Sequence, residues 1–257
     1  MPRLPRRLEH LEEANVVDHL EELRWRVLVA LAALALGTVL AYVFHAHILN
    51  WLERPLPLDH RRVVTFGVAE PFTVSVTVSV YAGFLLALPV ILWQAWSFVA
   101  PAFDPRAERH LLALVAFAGL LAAAGLAFGY EILLPRAIHW LTNYDESQFH
   151  ILIRAKDYYS FVVTVLVGIV CIFELPIIVV GLVHLGALTA RRLRRNRRIG
   201  YFIVAVIALA LPGPDPVTTL LELIPMWILF EGSIWLAVLT ERRAAKALRL
   251  RTAEAGT

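Results

Sequence analysis

Two glutamates that lie among arginines are the residues with the clearest chemical potential in this sequence. Glu22 belongs to the segment His-Leu-Glu-Glu-Leu-Arg-Trp-Arg at residues 19–26, and Glu108 precedes Arg109 in Phe-Asp-Pro-Arg-Ala-Glu-Arg. Two carboxylates can bind two guanidinium groups, because the planar fork of an arginine matches the two oxygens of a carboxylate. Glu22 and Arg26 are also four residues apart, so they can form an ordinary ion pair on one helix face. The residues alone leave both interpretations open.

Glutamates inside apolar segments form a second group of candidates. Glu174 lies among apolar neighbours, and Glu231 lies in the last apolar segment of the chain. A charge at membrane depth is costly, so such a residue is a functional candidate by default. For Glu174 three roles remain open: coordination of a polar group on a substrate or partner, proton binding, and a packing hydrogen bond to a neighbouring helix. Glu231 can extend towards the membrane surface. Exposed positions are expected for four other acids, Glu70, Glu131, Asp215 and Glu222.

The arrangement of histidine, serine and cysteine does not indicate an enzyme. The chain contains no His-Glu-x-x-His metal motif. An intramembrane serine protease needs a Gly-x-Ser-Gly setting with a histidine partner, whereas Ser233 is followed by isoleucine and both His139 and His184 fall near helix ends. Cys171 is the single cysteine and belongs to no Cys-x-x-Cys pair. We therefore expect no catalytic residue, no metal and no cofactor.

Composition places these residues in a membrane protein. Of the 257 residues, 59% are hydrophobic and only 18% are charged, whereas a soluble domain carries about a quarter charged residues. Uncharged stretches such as 27–44 and 111–130 approach the ~20 apolar residues that cross the hydrocarbon core as a helix. They lack the alternation of a transmembrane β-strand. The sequence therefore predicts an all-α polytopic membrane protein.

Six transmembrane helices are predicted. Their expected bounds are 27–44, 72–96, 109–134, 159–185, 199–211 and 217–239. Proline is a natural helix stop, so Pro135 is expected to end the third helix, and Pro89, Pro176 and Pro225 are expected to kink the helices that contain them. The fifth helix would reach only about 20 Å. Helices five and six, joined by a tight proline-rich turn, are therefore expected to be short for a bilayer.

The distribution of positive charge predicts the orientation. An even number of spans puts both termini on one side, and that side holds most of the 24 arginine and lysine residues. The positive-inside rule then places both termini in the cytoplasm. Three regions are expected: a cytoplasmic amphipathic segment over 1–26 that turns into the first span, a six-helix membrane domain over 27–239, and a basic cytoplasmic tail over 240–257.

Several motifs, in order along the chain, resemble the TatC family, the multispanning core of the twin-arginine protein translocase. The segment at 19–26 is similar to the family's His-Leu-x-Glu-Leu-Arg-x-Arg. The other matching segments are Glu-Pro-Phe at 70–72, Pro-Val-Ile at 89–91, residues 94–102 with Glu-Arg at 108–109, Phe-Glu-Leu-Pro at 173–176, residues 212–215, Ile-Pro-Met at 224–226 and Phe-Glu at 230–231. The resemblance extends over about residues 18–239, nearly the whole chain.

The resemblance implies a function that composition does not show. Proteins of this family receive folded proteins whose signal peptides carry paired arginines. They recruit small single-span partners, the TatA- and TatB-like subunits, for export that depends on the proton-motive force. The resemblance also implies a multi-pass location in the cytoplasmic (inner) membrane of a prokaryote, contact with other copies of the chain and with the lipid bilayer, and no nucleic-acid partner.

The same resemblance assigns roles to individual residues. Signal-peptide binding would involve Glu22, Glu108, Arg24, Phe98, Pro101 and Arg109, with the two glutamates holding the guanidinium groups. A polar point within the concave membrane face would be formed by Glu174. Partner docking or structural roles would belong to Pro55 and Phe72 in the outer cap, Asp215 in the final hairpin, and Glu231 where partner helices dock.

A secondary transporter of a small solute is the alternative function. Transporters of that kind are built from paired broken helices in matching halves of the chain. Residues 27–134 and 159–239 show no inverted repeat. Uptake into vesicles without partner proteins would indicate a transporter.

Overall fold

The computed structural model describes residues 16–57, 63–99, 111–144, 148, 151–184, 188–210 and 216–254. Within these ranges the regular structure is helical, apart from one isolated bridge between Val64 and Arg154. The helices are α1 (Val16–Val43), α2 (His45–Leu52), α3 (Glu70–Val99), α4 (Leu111–Phe128), a π-helical turn (Gly129–Leu133), α5 (Leu134–Asn143), α6 (Ala155–Phe173), α7 (Leu175–His184), α8 (Ala190–Arg195), α9 (Arg197–Ala210) and α10 (Pro216–Glu254). The all-α prediction is confirmed for this part of the chain.

Five helical segments of the described chain are long and apolar enough to cross a membrane. They are His19–Val43, Glu70–Phe98, Leu114–Asn143, Ala155–Val183 and Pro216–Leu239. The predicted fifth span corresponds to α9, whose 14 residues reach only about 21 Å at ~1.5 Å per residue. Length alone therefore does not establish α9 as a span, and the total of six stays a prediction.

The first helix is longer than expected. The predicted surface helix and the first span form one continuous α1 from Val16 to Val43, so the turn expected near residue 27 is wrong. The reason is local, because the first glycine in this stretch is Gly37 and no proline precedes it. Nothing between residues 16 and 36 therefore interrupts the propagation of the helix.

The third span continues beyond its expected end. A π-helical turn follows α4 and leads directly into α5, which ends at Asn143. Pro135 lies in the first turn of α5, where its missing N–H removes no hydrogen bond of that helix. The expectation that Pro135 stops the helix is therefore wrong.

The fourth span is interrupted at a single residue, Glu174. Helix α6 ends at Phe173 and α7 begins at Leu175. Pro176 has no N–H to donate to the carbonyl four residues earlier, at Ile172, which explains why the helix breaks here. The expected kink takes the form of this break. By contrast, α3 and α10 continue on both sides of Pro89 and Pro225.

The last helix extends far beyond the apolar segment. Its membrane-compatible part ends at Leu239, but α10 continues as helix to Glu254 and has 39 residues in all. At ~1.5 Å per residue this corresponds to about 58 Å. Most of the predicted basic tail is therefore helical, and the division of the chain into three regions stays a prediction.

Helix α6 lies at the centre of the protein. Within an apolar stretch of 18 residues in Ala155–Val183, 61% is buried inside the protein, against 11% for the corresponding stretch of His19–Val43. Val162, Val165 and Ile169 of α6 are completely buried. They belong to a core that also includes residues of α3, the π-helical turn and α10. Helix α1 lies at the periphery and packs mainly on α3.

Two glycines allow α1 and α3 to touch backbone to backbone. A Cβ atom on Gly37 would lie 2.6 Å from the carbonyl oxygen of Gly83, and a Cβ atom on Gly83 would lie 2.5 Å from the Cα atom of Thr38. Real Cβ contacts are not this short, so the crossing requires glycine at both positions.

Substitution at this crossing is expected to destabilise the protein. Gly83→Ala forces α1 away from α3 and should cost about 1–3 kcal/mol, the range for overpacking a tight contact. Gly119→Ala in α4 is the matched control, because no atom lies within 4 Å of the added Cβ. Thermal unfolding in detergent measures the difference. Equal midpoints for the two variants would contradict the close crossing.

Candidate functional site

Glu22 lies where α1 approaches the last turns of α3. Arg26 donates to Glu22 Oε1 from Nε at 2.9 Å and from Nη2 at 2.5 Å. The Nη1 atom of Arg26 also lies 3.4 Å from Oε1 of Gln94 on α3. The helical ion pair considered from the spacing is therefore formed, and Arg26 connects the Glu22 carboxylate to the neighbouring helix.

The second oxygen of the Glu22 carboxylate has no hydrogen-bond donor within the described residues. Oε2 of Glu22 is buried and accepts no hydrogen bond from the residues that the structure describes. The Nδ1 atom of His19 lies 4.0 Å away, too far for a hydrogen bond. A buried oxygen without a donor is costly, so a visiting N–H group would be stabilised at this position.

The surroundings of Glu22 include a second residue of the predicted site. The rings of His19 and Phe98 are stacked with their centroids 4.4 Å apart, which places Phe98 of α3 beside the Glu22 turn of α1. Arg24 is exposed on α1 next to the same turn. The structure thus brings Glu22 and Phe98 together at one end of the helices, called the Glu22 end below, whereas Arg24, two residues after Glu22, is about 200° further round α1. Pro101, Glu108, Arg109 and Asp215 lie outside the described residues.

Glu70 lies at the opposite end, called the clamp end, and it is buried with only 6% of its surface exposed. The expectation of an exposed position is therefore wrong. Arg154 donates to it as a fork, from Nε to Oε1 at 3.0 Å and from Nη2 to Oε2 at 3.2 Å. Backbone N–H groups of Phe66, Gly67 and Lys156 also donate to this carboxylate, at 3.0, 3.2 and 3.3 Å.

These bonds join two distant parts of the chain. Val64 exchanges backbone hydrogen bonds with the strand-like segment before α6, from its N–H to Ile153 O and from Ala155 N to its own carbonyl, both at 2.8 Å. The Glu70 carboxylate raises the pKa of Arg154 above its ordinary value, because the hydrogen-bonded charge pair favours the cation. Glu70 therefore closes a clamp between the start of α3 and the start of α6.

Three tyrosines hold the end of α2 at the same clamp end. The hydroxyl of Tyr130 donates to Trp51 O at 2.7 Å, that of Tyr158 to Leu52 O at 2.6 Å, and that of Tyr159 to Glu53 Oε1 at 2.5 Å. Tyr130 and Tyr158 satisfy carbonyl groups that the last turn of a helix leaves without an intrahelical donor, and Tyr159 binds the side chain of Glu53 just after that turn.

The residues assigned to the outer cap lie near this group. Pro55 is half-buried in the turn that follows α2, and Phe72 is exposed on the first turn of α3. The sequence analysis named these two residues but missed the tyrosines, since their acceptors lie 79 to 106 residues away in the chain and no local pattern indicates them.

Glu174 occupies the break between α6 and α7. Only 5% of its surface is exposed, and neither of its side-chain oxygens has a hydrogen-bond partner among the described residues. The packing hydrogen bond considered for this residue is therefore not formed within that part of the chain. Coordination of a visiting polar group and proton binding remain as the two roles to test.

Glu231 joins α9 to α10. The hydroxyl of Tyr201 donates to its Oε1 atom, and the Nη2 atom of Arg197 lies 3.3 Å from its Oε2 atom. Glu222, on the same helix, is buried with 2% of its surface exposed, so the expectation of exposure is wrong. It lies four residues before the buried Met226, on the helix face that packs into the core.

The fold and these clusters define the class of the chain as an all-helical, multi-pass membrane protein with several buried carboxylates. A family model described as TatC, Sec-independent protein translocase protein, matches residues 18–225. The chain therefore belongs to the TatC family, which confirms the resemblance found in the motifs. Membership of a protein translocase family also sets aside the solute transporter.

Individual relatives agree with this assignment. The chain is 32% identical to TatCd of Bacillus subtilis, over 95% of this chain and 98% of that protein. It is 34% identical to the chloroplastic TATC of Arabidopsis thaliana, over 90% of this chain and 68% of that one. A crystal structure of the twin arginine translocase receptor TatC in DDM is 30% identical, covers 85% of this chain and 99% of the other, and gives a TM-score of 0.77.

Proposed function

We propose that this chain is the core subunit of a twin-arginine translocase. It binds the twin-arginine signal peptides of folded proteins and recruits small single-span TatA- and TatB-like subunits for export driven by the proton-motive force. Family membership over residues 18–225 supports the proposal. So does the likeness to a solved protein described as the twin arginine translocase receptor. The activity consists of binding and transport and includes no bond chemistry.

The open oxygen of Glu22 carries the proposal for the binding site. Oε1 is occupied by Arg26, whereas Oε2 is buried and has no donor among the described residues. A guanidinium group of the signal peptide donates to Oε2 and passes beside the stacked rings of His19 and Phe98. Charge-assisted bonds of this kind are shorter and about twice as strong as neutral ones.

A second carboxylate is needed for the second arginine. The Glu22–Arg26 pair is electrically neutral as a whole, so it offers an incoming dication little net attraction. Glu108 supplies the missing negative charge, and Arg24, Pro101 and Arg109 shape the surface around it. In this proposal Glu22 binds one guanidinium group, and Glu108, on a separate segment, provides the negative charge for the second.

The proposed topology has six spans and two cytoplasmic termini in the inner membrane. Helix α9 exposes a stripe of apolar side chains at helical spacing, formed by Ile199, Phe202, Ile203 and Val206, as expected for a helix that faces lipid. Its 14 residues are fewer than the ~20 that match the hydrocarbon core. We infer that the bilayer thins locally around α9.

Glu174 and Glu231 contribute at different places in this scheme. Glu174 offers a buried carboxylate without a donor, so it receives a polar group of the peptide or of a partner helix inside the membrane. Glu231 fixes the α9–α10 pair through Tyr201 and Arg197, and with Asp215 it presents that pair to the partner helices. Pro55 and Phe72 shape the clamp end, which is the outer cap in this proposal.

Site-specific crosslinking tests the proposed function. A photoreactive residue placed at position 107, next to Glu108, should crosslink to a signal peptide that carries Arg-Arg and much less to a matched peptide that carries Lys-Lys, because an ammonium group cannot form the two-pronged bond. The same probe at Glu131, an exposed position near the clamp end, is the control. Equal crosslinking of the two peptides at position 107 would contradict the receptor assignment.

A further inference from the structure

The short helix α8 and the segment that follows it are rich in arginine. The proposed receptor site uses none of these arginines. Residues 190–198 read Ala-Arg-Arg-Leu-Arg-Arg-Asn-Arg-Arg. The exposed ones are Arg191, Arg192, Arg194, Arg195 and Arg198. Within the part of the chain that the structure describes, Arg197 is the one member of this group with a carboxylate partner, Glu231. We propose that α8 binds the phosphate headgroups of anionic phospholipids.

The arginines of α8 stand on a fixed frame. Leu193 packs against two apolar clusters of the core, and Ala190 is buried. The backbone N–H of Ala190 donates to Glu241 Oε1 on α10 at 2.7 Å, and Thr189 Oγ1 accepts from Arg192 N at 3.2 Å. Because the backbone is held on both sides, a bound anion has to immobilise side chains only, which lowers the entropic cost of binding.

Helix geometry pairs two of the arginines. At about 100° per residue, Arg191 and Arg195 lie on the face opposite Leu193 and next to each other. Like charges four residues apart on a helix repel each other. An anion between them replaces this repulsion with charge-assisted hydrogen bonds, and a phosphate matches the planar fork of each guanidinium group.

The position of α8 identifies the anion as a lipid phosphate. The apolar segment before it ends at Val183, and the exposed apolar stripe of α9 begins at Ile199. The arginines therefore lie between the end of one membrane-facing segment and the start of the next, at the depth of the lipid headgroups. Clustered basic residues at this depth attract anionic lipids by about 1 kcal/mol for each charge near the surface.

Native mass spectrometry of the full chain from nanodiscs tests the proposal. The nanodiscs contain equal amounts of phosphatidylglycerol and phosphatidylcholine. We expect the unmodified protein to retain phosphatidylglycerol selectively, and Arg191→Gln with Arg195→Gln to reduce this enrichment by about thirtyfold. The matched control is Arg54→Gln with Arg136→Gln, which removes two exposed arginines at the clamp end and should leave the enrichment unchanged.

Three results would overturn the proposal. The first is equal enrichment in the two double variants. The second is release of the bound lipid by soluble glycerophosphoglycerol at concentrations that match the lipid, which would make α8 a site for free phosphate-bearing anions. The third is a preference of α8 for an acidic soluble protein over lipid. Size-exclusion profiles and helical circular dichroism establish that each variant is folded. If the double variant does not fold, Arg195→Gln alone takes its place, with an expected reduction of about fivefold.

The experiment is independent of the receptor site. The proposed signal-peptide site consists of residues on α1, at the end of α3 and in the segment 101–109, and the α8 variant leaves all of them in place. Loss of lipid enrichment with retained signal-peptide binding would support the α8 site on its own. Failure of the receptor proposal would leave the lipid measurement interpretable, because the measurement requires only that the protein is embedded in a bilayer.

Discussion

Reversing the charge of both receptor acids, with Glu22→Lys and Glu108→Arg, is expected to abolish binding of a twin-arginine signal peptide. Each acid is proposed to make charge-assisted hydrogen bonds to one guanidinium group, and the reversed side chains would repel it instead. The loss should be about 100-fold or more in affinity. Binding of a fluorescent peptide to the purified full chain measures the effect.

The structure provides a close control for this experiment. Glu21 is exposed on the same turn of α1 as Glu22, so Glu21→Lys changes the local charge by the same amount without touching the open oxygen. Glu22→Lys alone should weaken binding strongly, whereas Glu21→Lys should have a small effect that disappears at high salt. If the two single variants lose affinity equally, the effect comes from general surface charge and the Glu22 site is wrong.

Loss of the Glu70 carboxylate, in Glu70→Ala, is expected to cause the largest fall in stability. The substitution removes the acceptor for three backbone N–H groups and the Arg154 fork at once, and it leaves those donors unpaired. We expect the thermal midpoint in detergent to drop by roughly 10 °C. Arg154→Gln should cost less, because the backbone donors still satisfy the carboxylate.

An exposed acid near the same end serves as the comparison. Glu131 lies in the π-helical turn and is exposed, so Glu131→Ala should leave the midpoint nearly unchanged. Thermal unfolding followed by circular dichroism distinguishes the variants. A Glu70→Ala protein as stable as Glu131→Ala would show that the clamp contributes little to the fold.

Hydropathy predicted the long helices because each one depends mainly on its own apolar stretch. Hydropathy and proline positions were less informative about where each helix ends. Pro135 was expected to stop a helix, yet the π-helical turn before it lets the helix continue. At the start of the chain, the change in composition near residue 27 predicted a surface segment followed by a separate span. The structure has one continuous helix there, because no residue between the two parts interrupts it.

The candidate sites divide in the same way between local and distant determinants. The Glu22–Arg26 pair was foreseen as one alternative, because both residues belong to one helix and their spacing is visible in the sequence. The burial of Glu70 depends on Arg154, which is 84 residues away in the chain. Burial of Glu222 depends on how α10 packs into the core. No local pattern encodes these contacts, and the motif at 70–72 was the one sequence signal that singled out Glu70.

The C-terminal part of α10 is an unbroken helix that also holds the start of α8. From Met226 onward the helix contains no proline, and it continues to Glu254. Glu241, on this part of the helix, holds the first residue of α8 by its backbone N–H. A tilt of α10 caused by a partner at its membrane end would therefore displace α8 as well, because this hydrogen bond joins the two helices.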